Sequence, residues 1–163
     1  MRRLVADTGP LLHLAEADGL HLLQLAGELH VPPLVVKELR YTAPALSFPA
    51  WIIQDTLEPL HVTESVAWQQ ADLLDAGEAE AIALARQIQS DWFLTDDAAA
   101  RLFAAQLGLE VHGSLGIVLW AAAMEHLDFS TAQQILERLS MSSLWISSKV
   151  MAEAQAALRA MFL

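Results

Sequence analysis

Along this chain, short apolar runs that stop at a carboxylate or a turn residue alternate with longer apolar-rich segments of helical composition. "MRRLVAD" reads as a short strand ending at Asp7. "TGPLLHLAEADGLHLLQLAGEL" reads as one or two helices, with Pro10 in a first turn and Gly19 as a break. "HVPPLVVKELRYTA" gives a brief strand and then a helix opened by Pro32 and Pro33, whereas "APALSFPAWIIQDTLEPLHVT" is Pro-rich and irregular, with a short strand or two. "ESVAWQQADLLDAGEAEAIALARQI" is helical with a break near Gly77. "DWFLTDD" is again a strand, "AAARLFAAQLG" a helix closed by Gly108, and "LEVHGS" a further short strand. Three helices, "LGIVLWAAAMEHL", "STAQQILERLS" and "SSKVMAEAQAALRAMF", complete the chain. Short strands alternating with helices predict an α/β fold in which a parallel sheet is covered by helices. No repeat, low-complexity tract or linker breaks the pattern, and 163 residues fit one domain spanning 1–163.

In open α/β sheets, ligands bind beyond the carboxyl ends of the strands, so residues at strand ends are the first candidates for chemistry. Asp7 ends the first strand, and Asp96 and Asp97 follow "WFL". One aspartate at a helix start is ordinary capping, because its side-chain oxygen accepts from free N–H groups of the first turn; a second beside it is more than a cap requires. In a parallel sheet both strand ends lie on one edge, so these acids converge. Two further carboxylates stand in otherwise apolar helices: Glu38 in "PPLVVKEL", and Glu78 with Glu80 in "GEAEAIALA". A lone buried carboxylate is costly unless paired or bound to metal. Glu80, two residues on from Glu78, should point roughly 200° away around the helix and stay outside any shared site. An oxygen-only donor set points to Mg²⁺ or Mn²⁺, and the chemistry that suits it is phosphodiester hydrolysis. Thr8 and Ser114 read as helix caps without a chemical role. Arg101, one turn after Asp97, is the candidate phosphate contact, or else an i,i+4 ion-pair partner of Asp97.

Charge narrows the possibilities. Nine Lys plus Arg against twenty Asp plus Glu give a net charge of −11, so nucleic acid is not held by general phosphate neutralisation; a few arginines or metal ions must hold it locally. There is no cysteine, which excludes disulfides and thiolate metal sites. The six histidines form no H-x-x-x-H spacing, so a zinc site is not expected. No P-loop motif occurs. A receiver domain would place its acidic pair after the first strand, and a haloacid-type phosphatase would carry Asp where Gly9 stands. Mean hydropathy is +0.37, yet no apolar run approaches the roughly 18 residues of a membrane span. The start of the chain resembles a signal peptide only superficially, because Asp7 and Pro10 interrupt it, and a cytoplasmic protein is expected. The five tryptophans are scattered and read as core or interface.

Taken together, "LVADTGPLL", "VPPLVVKEL", "GEAEAIALA" and "FLTDDAAARLFAAQLGLEVHGSLGIVLWA" resemble the PIN-domain family, in particular its DUF3368 branch of small prokaryotic proteins related to VapC-type toxins. The resemblance spans about residues 3 to 150. It implies a three-layer α/β/α sandwich with a short central parallel sheet and an acidic, metal-dependent ribonuclease site. Carried over position by position, it places the four acids at Asp7, Glu38, Glu78 and Asp97, with Asp96 as an auxiliary metal ligand. The chain departs from VapC-type sequences in carrying Glu at the third position and Asp96 where Asn often stands. The expected function is a divalent-metal-dependent endoribonuclease acting on RNA, with the toxin half of a toxin–antitoxin pair, matched to a small antitoxin protein, as its extension. The alternative is a catalytically weak PIN-like module for protein association. A homodimer is also expected, through Leu115, Val118, Leu119 and Ala122 on one stripe, Trp120 on another, and the C-terminal Met161, Phe162 and Leu163.

Overall fold

A run buried on both faces of a sheet is continuously apolar rather than alternating, and the central strands of this protein are built that way. In the computed structural model, which describes residues 1–163, β1 (Arg3–Ala6) buries Leu4, Val5 and Ala6 completely, and β4 (Trp92–Leu94) buries all three of its residues. β2 (Glu28–Val31) flanks β1 on the other side, while β3 (Ile53–Gln54) and β5 (Val111–His112) are outer strands of two residues each. Every pairing is parallel, in the order β3-β2-β1-β4-β5. The register sets Ala6 opposite Leu94. The order changes direction between β1 and β4, which makes that pair the switch point of the sheet.

Nine helices flank the sheet: α1 (Thr8–Glu16), α2 (His21–Ala26), α3 (Pro33–Thr42), α4 (Pro59–Gln70), α5 (Ala76–Gln87), α6 (Ala98–Gln106), α7 (Ser114–Ala123), α8 (Phe129–Ser140) and α9 (Ser148–Met161). α5 lies against β1 and β4 and packs on α3 and α4, whereas α7, α8 and α9 pack together as a second group. The α/β class, the parallel central sheet and the flanking helices agree with the sandwich expected from the sequence. No helix is long and apolar enough to cross a membrane.

Local boundaries differ where local signals competed. α4 begins at Pro59, inside the segment expected to be irregular, because proline at the first helical position supplies the required φ. The break expected near Gly77 falls earlier: Asp72 adopts a left-handed φ of 59° after α4, and Asp75 caps α5, leaving Gly77 within its first turn. Gly108, at φ +86°, follows α6 as expected. β2 starts at Glu28, two residues before the histidine at which its strand was expected to begin.

The apolar stripe of α7 is spent partly inside the chain. Val118 and Ala122 are buried, and Leu115, Leu119 and Trp120 are half-buried, with α8, α9 and α2 packed against the helix. Val118 and Ala122 of the expected dimer stripe therefore serve the core, while Leu115, Leu119 and Trp120 keep part of their surface exposed. The C-terminal Met161, Phe162 and Leu163 do stay exposed, although Phe162 meets Phe129 edge-on at 5.7 Å between ring centroids. Four of the five tryptophans are buried or half-buried, and Trp145 is exposed.

Phe93 is the largest fully buried side chain and sits at the middle of β4. Phe93→Ala should lower the unfolding free energy by about 3–5 kcal/mol, read as a lower urea midpoint at unchanged slope.

Candidate active site

Strand pairing brings the first acids together. The Asp7 N–H donates to the Leu94 carbonyl at 2.9 Å, extending the β1–β4 ladder one residue past the strand and bringing Asp7 to the edge where β4 runs out. Asp7 is the N-cap of α1: its Oδ1 accepts from the Thr8 N–H at 2.8 Å, and its Oδ2 accepts from the Thr95 hydroxyl at 3.1 Å. Asp97 is the N-cap of α6, with Oδ2 accepting from the Ala100 N–H at 2.9 Å. The Thr95 hydroxyl also accepts from the Asp97 N–H at 3.2 Å, so one threonine ties both strand-end aspartates.

The helical acids arrive from the flanks. Glu38 reaches in from α3, and its Oε2 accepts from the Thr8 hydroxyl at 2.6 Å. Its carboxylate lies so close to Gly77 that a Cβ there would collide with both of its oxygens, so any side chain at that position would push the Glu38 carboxylate out of this place. Glu78 forms a capping box with Asp75: Asp75 Oδ1 accepts from the Glu78 N–H at 2.8 Å, and Glu78 Oε2 accepts from the Asp75 N–H at 3.1 Å. Asp7, Glu38, Asp75, Glu78, Asp96 and Asp97 all border one cleft of about 290 Å³, and no lysine or arginine lines it.

Asp75 is absent from the sequence expectation. Its signal was present in the D-x-x-E spacing to Glu78, but placing the helix break at Gly77 hid it. Thr8 and Ser114 differ as well: each hydroxyl holds a carboxylate, Glu38 and Asp96 respectively. Asp96, expected as an auxiliary ligand, is bonded through both of its oxygens. Its Oδ1 accepts from the Ser114 N–H at 2.7 Å, and its Oδ2 accepts from the Ser114 hydroxyl at 2.6 Å and pairs with His13 Nδ1 at 2.7 Å. Those bonds tie α7 and α1 to the end of β4. Glu80 points elsewhere, accepting from the Leu34 N–H at 3.2 Å at the start of α3. Arg101 makes no ion pair with Asp97, whose carboxylate is turned to its cap. Instead its guanidinium donates to the Thr95 carbonyl at 3.3 Å, and it borders a neighbouring cavity.

Burial and mutual repulsion shape the protonation of this cleft. Desolvation is the main cause raising Asp7 from 3.8 to about 6, assisted by Asp75 and Glu38 and opposed by the bonds from Thr8 and Thr95. Glu78 rises from 4.5 to about 7, again chiefly through burial, with Asp75, Asp97 and Asp7 adding repulsion. Asp96 is also desolvated, yet its bonds to His13 and Ser114 prevail and hold it below the usual carboxylate range. No three of the acidic or histidine side chains converge closely enough to grip an ion as they stand. Glu38, Glu78 and Asp97 are each committed through one oxygen and leave Oε1, Oε1 and Oδ1 without a protein partner. A hard divalent cation fits these free oxygens, which are anionic and have no lysine or arginine beside them in the cleft.

A short parallel sheet with an acidic cleft at its switch point belongs to the α/β proteins that bind ligands beyond their strand ends. The chain is a member of the family described as DUF3368, PIN domain, whose model matches residues 3–159. PIN domains are generally nucleases and generally use divalent metals. No curated protein matches the chain.

The raised Asp7 and Glu78 make stability depend on pH in a definite direction. Below about pH 4 both are protonated in the folded and unfolded chain and cost nothing. Between about pH 4 and 7 the unfolded chain sheds these protons while the folded one retains them, so their contribution falls as pH rises and levels off above about 7. In chelator, Asp7→Asn should melt higher than wild type at pH 7.5, by about 2–6 °C, and the gap should close toward pH 4. A constant gap across a pH series of melts would contradict the assignment.

Proposed function

We propose that the protein is a divalent-metal-dependent endoribonuclease that hydrolyses RNA phosphodiester bonds at the cleft of Asp7, Glu38, Glu78 and Asp97, with Mg²⁺ or Mn²⁺ as the ion. One observation carries this reading: acids from four separate places in the fold border one cleft that no lysine or arginine lines, and burial raises the proton affinity of two of them. A cation bound there supplies the positive charge that polarises the scissile phosphate and activates water. The chain's own residues do the rest. Asp7, fixed by Thr8 and Thr95, is the rigid member. Glu38, Glu78 and Asp97 are the residues that would hold the ion through their unpartnered oxygens, and Asp75 sets Glu78 through the capping box. Asp96 holds His13 and the start of α7 in place and is not a ligand in this proposal. Water adds to phosphorus, the ester P–O bond breaks, and the leaving oxygen departs with a proton.

Millimolar Mn²⁺ should raise the melting temperature of the wild type by linkage, and an Asp7→Ala/Asp97→Ala variant should lose that shift. Cleavage of single-stranded RNA should require Mn²⁺ or Mg²⁺ and fall at least about 100-fold in Asp7→Asn. Divalent-independent cleavage, or full activity in Asp7→Asn, would sink the reading. The toxin role, with a small antitoxin as partner, extends the proposal through the resemblance to VapC-type proteins. Induced expression in a heterologous bacterial host should then arrest growth, and Asp7→Asn should relieve the arrest.

A second reading, a PIN-like module acting by protein association, has its own support. Leu60, Val62 and Val66 on α4 and Leu73 beyond it are exposed, as are Met161, Phe162 and Leu163. If homodimerisation is the function, light scattering at micromolar concentration gives twice the 17.8 kDa chain mass, with no RNA cleavage under any divalent ion.

A further inference from the structure

A larger cavity, of about 390 Å³, opens beside the carboxylate cleft. Its volume falls within the roughly 300–1,000 Å³ of small-ligand sites. Asp96, Leu144 and Trp145 border both spaces, so the two form one continuous surface. Three features of the second cavity leave groups open to a ligand. Trp145, in the connection between α8 and α9, is 85% exposed, unlike the other four tryptophans, so one large aromatic face lies open at the junction of the two spaces. Arg101 is the only lysine or arginine bordering either space; one donor is anchored on the Thr95 carbonyl, and the other guanidinium N–H groups make no hydrogen bond within the protein. Gly116 stands in the first turn of α7 and borders the cavity, and a Cβ built there meets nothing within 4 Å. The wall between arginine and tryptophan is apolar, through Val111 and Leu115.

We infer that this cavity is a nucleotide subsite, holding the unit of single-stranded RNA adjacent to the scissile bond, with its phosphate on Arg101 and its base stacked against Trp145. The inference rests on the nuclease reading for the meaning of "scissile", while the binding it describes stands apart from catalysis. It also explains how so acidic a chain holds a polyanion. With nine basic residues against twenty acidic ones, general attraction is absent, and a single fixed guanidinium paired with a stacking face takes its place. Every base has a π-face, so such a subsite accepts any nucleotide with modest preference.

The test separates binding from cleavage. In EDTA, adenosine 5′-monophosphate should quench the tryptophan fluorescence of the wild type, and Trp145→Ala should lose that quench. Gly116→Leu fills the cavity from a position with free space and should weaken the fluorescence titration about tenfold, and Trp145→Ala should weaken adenosine 5′-monophosphate binding as much when read by calorimetry. With an RNA substrate and Mn²⁺, both variants should raise KM about tenfold while kcat stays within about twofold. Their Mn²⁺-dependent thermal shift should match the wild type. An unchanged KM and unchanged nucleotide affinity in both variants would overturn the subsite while leaving the nuclease intact. If the wild type shows neither cleavage nor an Mn²⁺ shift, the nuclease reading fails, and the fluorescence titration still decides the subsite. Nucleotide indifference combined with loss of a protein partner in Trp145→Ala would overturn it in favour of a protein contact.

Discussion

The register of β1 beside β4 is the constraint on which the sheet edge depends. Ala6 stands opposite Leu94, and the Asp7 amide completes the ladder on the Leu94 carbonyl. Because side chains alternate along a strand, a slip of one residue would turn Asp7 to the other face of the sheet and separate it from Thr95. The completely buried runs of Leu4 to Ala6 and of Phe93 and Leu94 bury both faces of this pair, and the hydrogen bonds of Asp7 past the strand end fix where the two strands stop together. The core of the sheet and the position of the first acid are therefore one arrangement.

Neutral donors hold the cleft's acids in position. Thr8, Thr95 and the N–H groups of helix first turns bind them, which preserves geometry without neutralising charge. The adjacent pair Asp96 and Asp97 shows the difference partners make. Asp96 has two bonds from Ser114 and one to His13, and remains ionised well into acid. Asp97 has one backbone cap and adds to the repulsion felt by Glu78. One member of the pair is bonded through both oxygens; the other keeps an oxygen without a protein partner.

How much of this was legible depended on how local each feature is. Asp7 and Asp97 could be placed because apolar runs define strand ends, and parallel strand ends share an edge. Glu38 and Glu78 stood out as acids in apolar helices, and the helical angle separated Glu80 from them. Asp75 was missed because its meaning depends on where α5 begins, and Gly77 mimics a break while in fact making room for the Glu38 carboxylate. Arg101 was open to two readings until the orientation of Asp97 excluded one. The α7 stripe could not be told from an interface, since hydropathy does not say whether a helix buries itself on its own chain or on another. Trp145 was lost among the other tryptophans, because its exposure depends on how the connection between α8 and α9 lies across the sheet edge.

The outer strands carry a consequence of their own. β3 and β5 have two residues each, too few to offer a ladder of free amides and carbonyls to another chain. Long bare edges are where apolar proteins join strand to strand into aggregates, and stubby ones are a recognised safeguard. A chain with 55% hydrophobic residues is thereby closed to sheet extension on both sides. Whatever meets this protein must do so through its helices and loops.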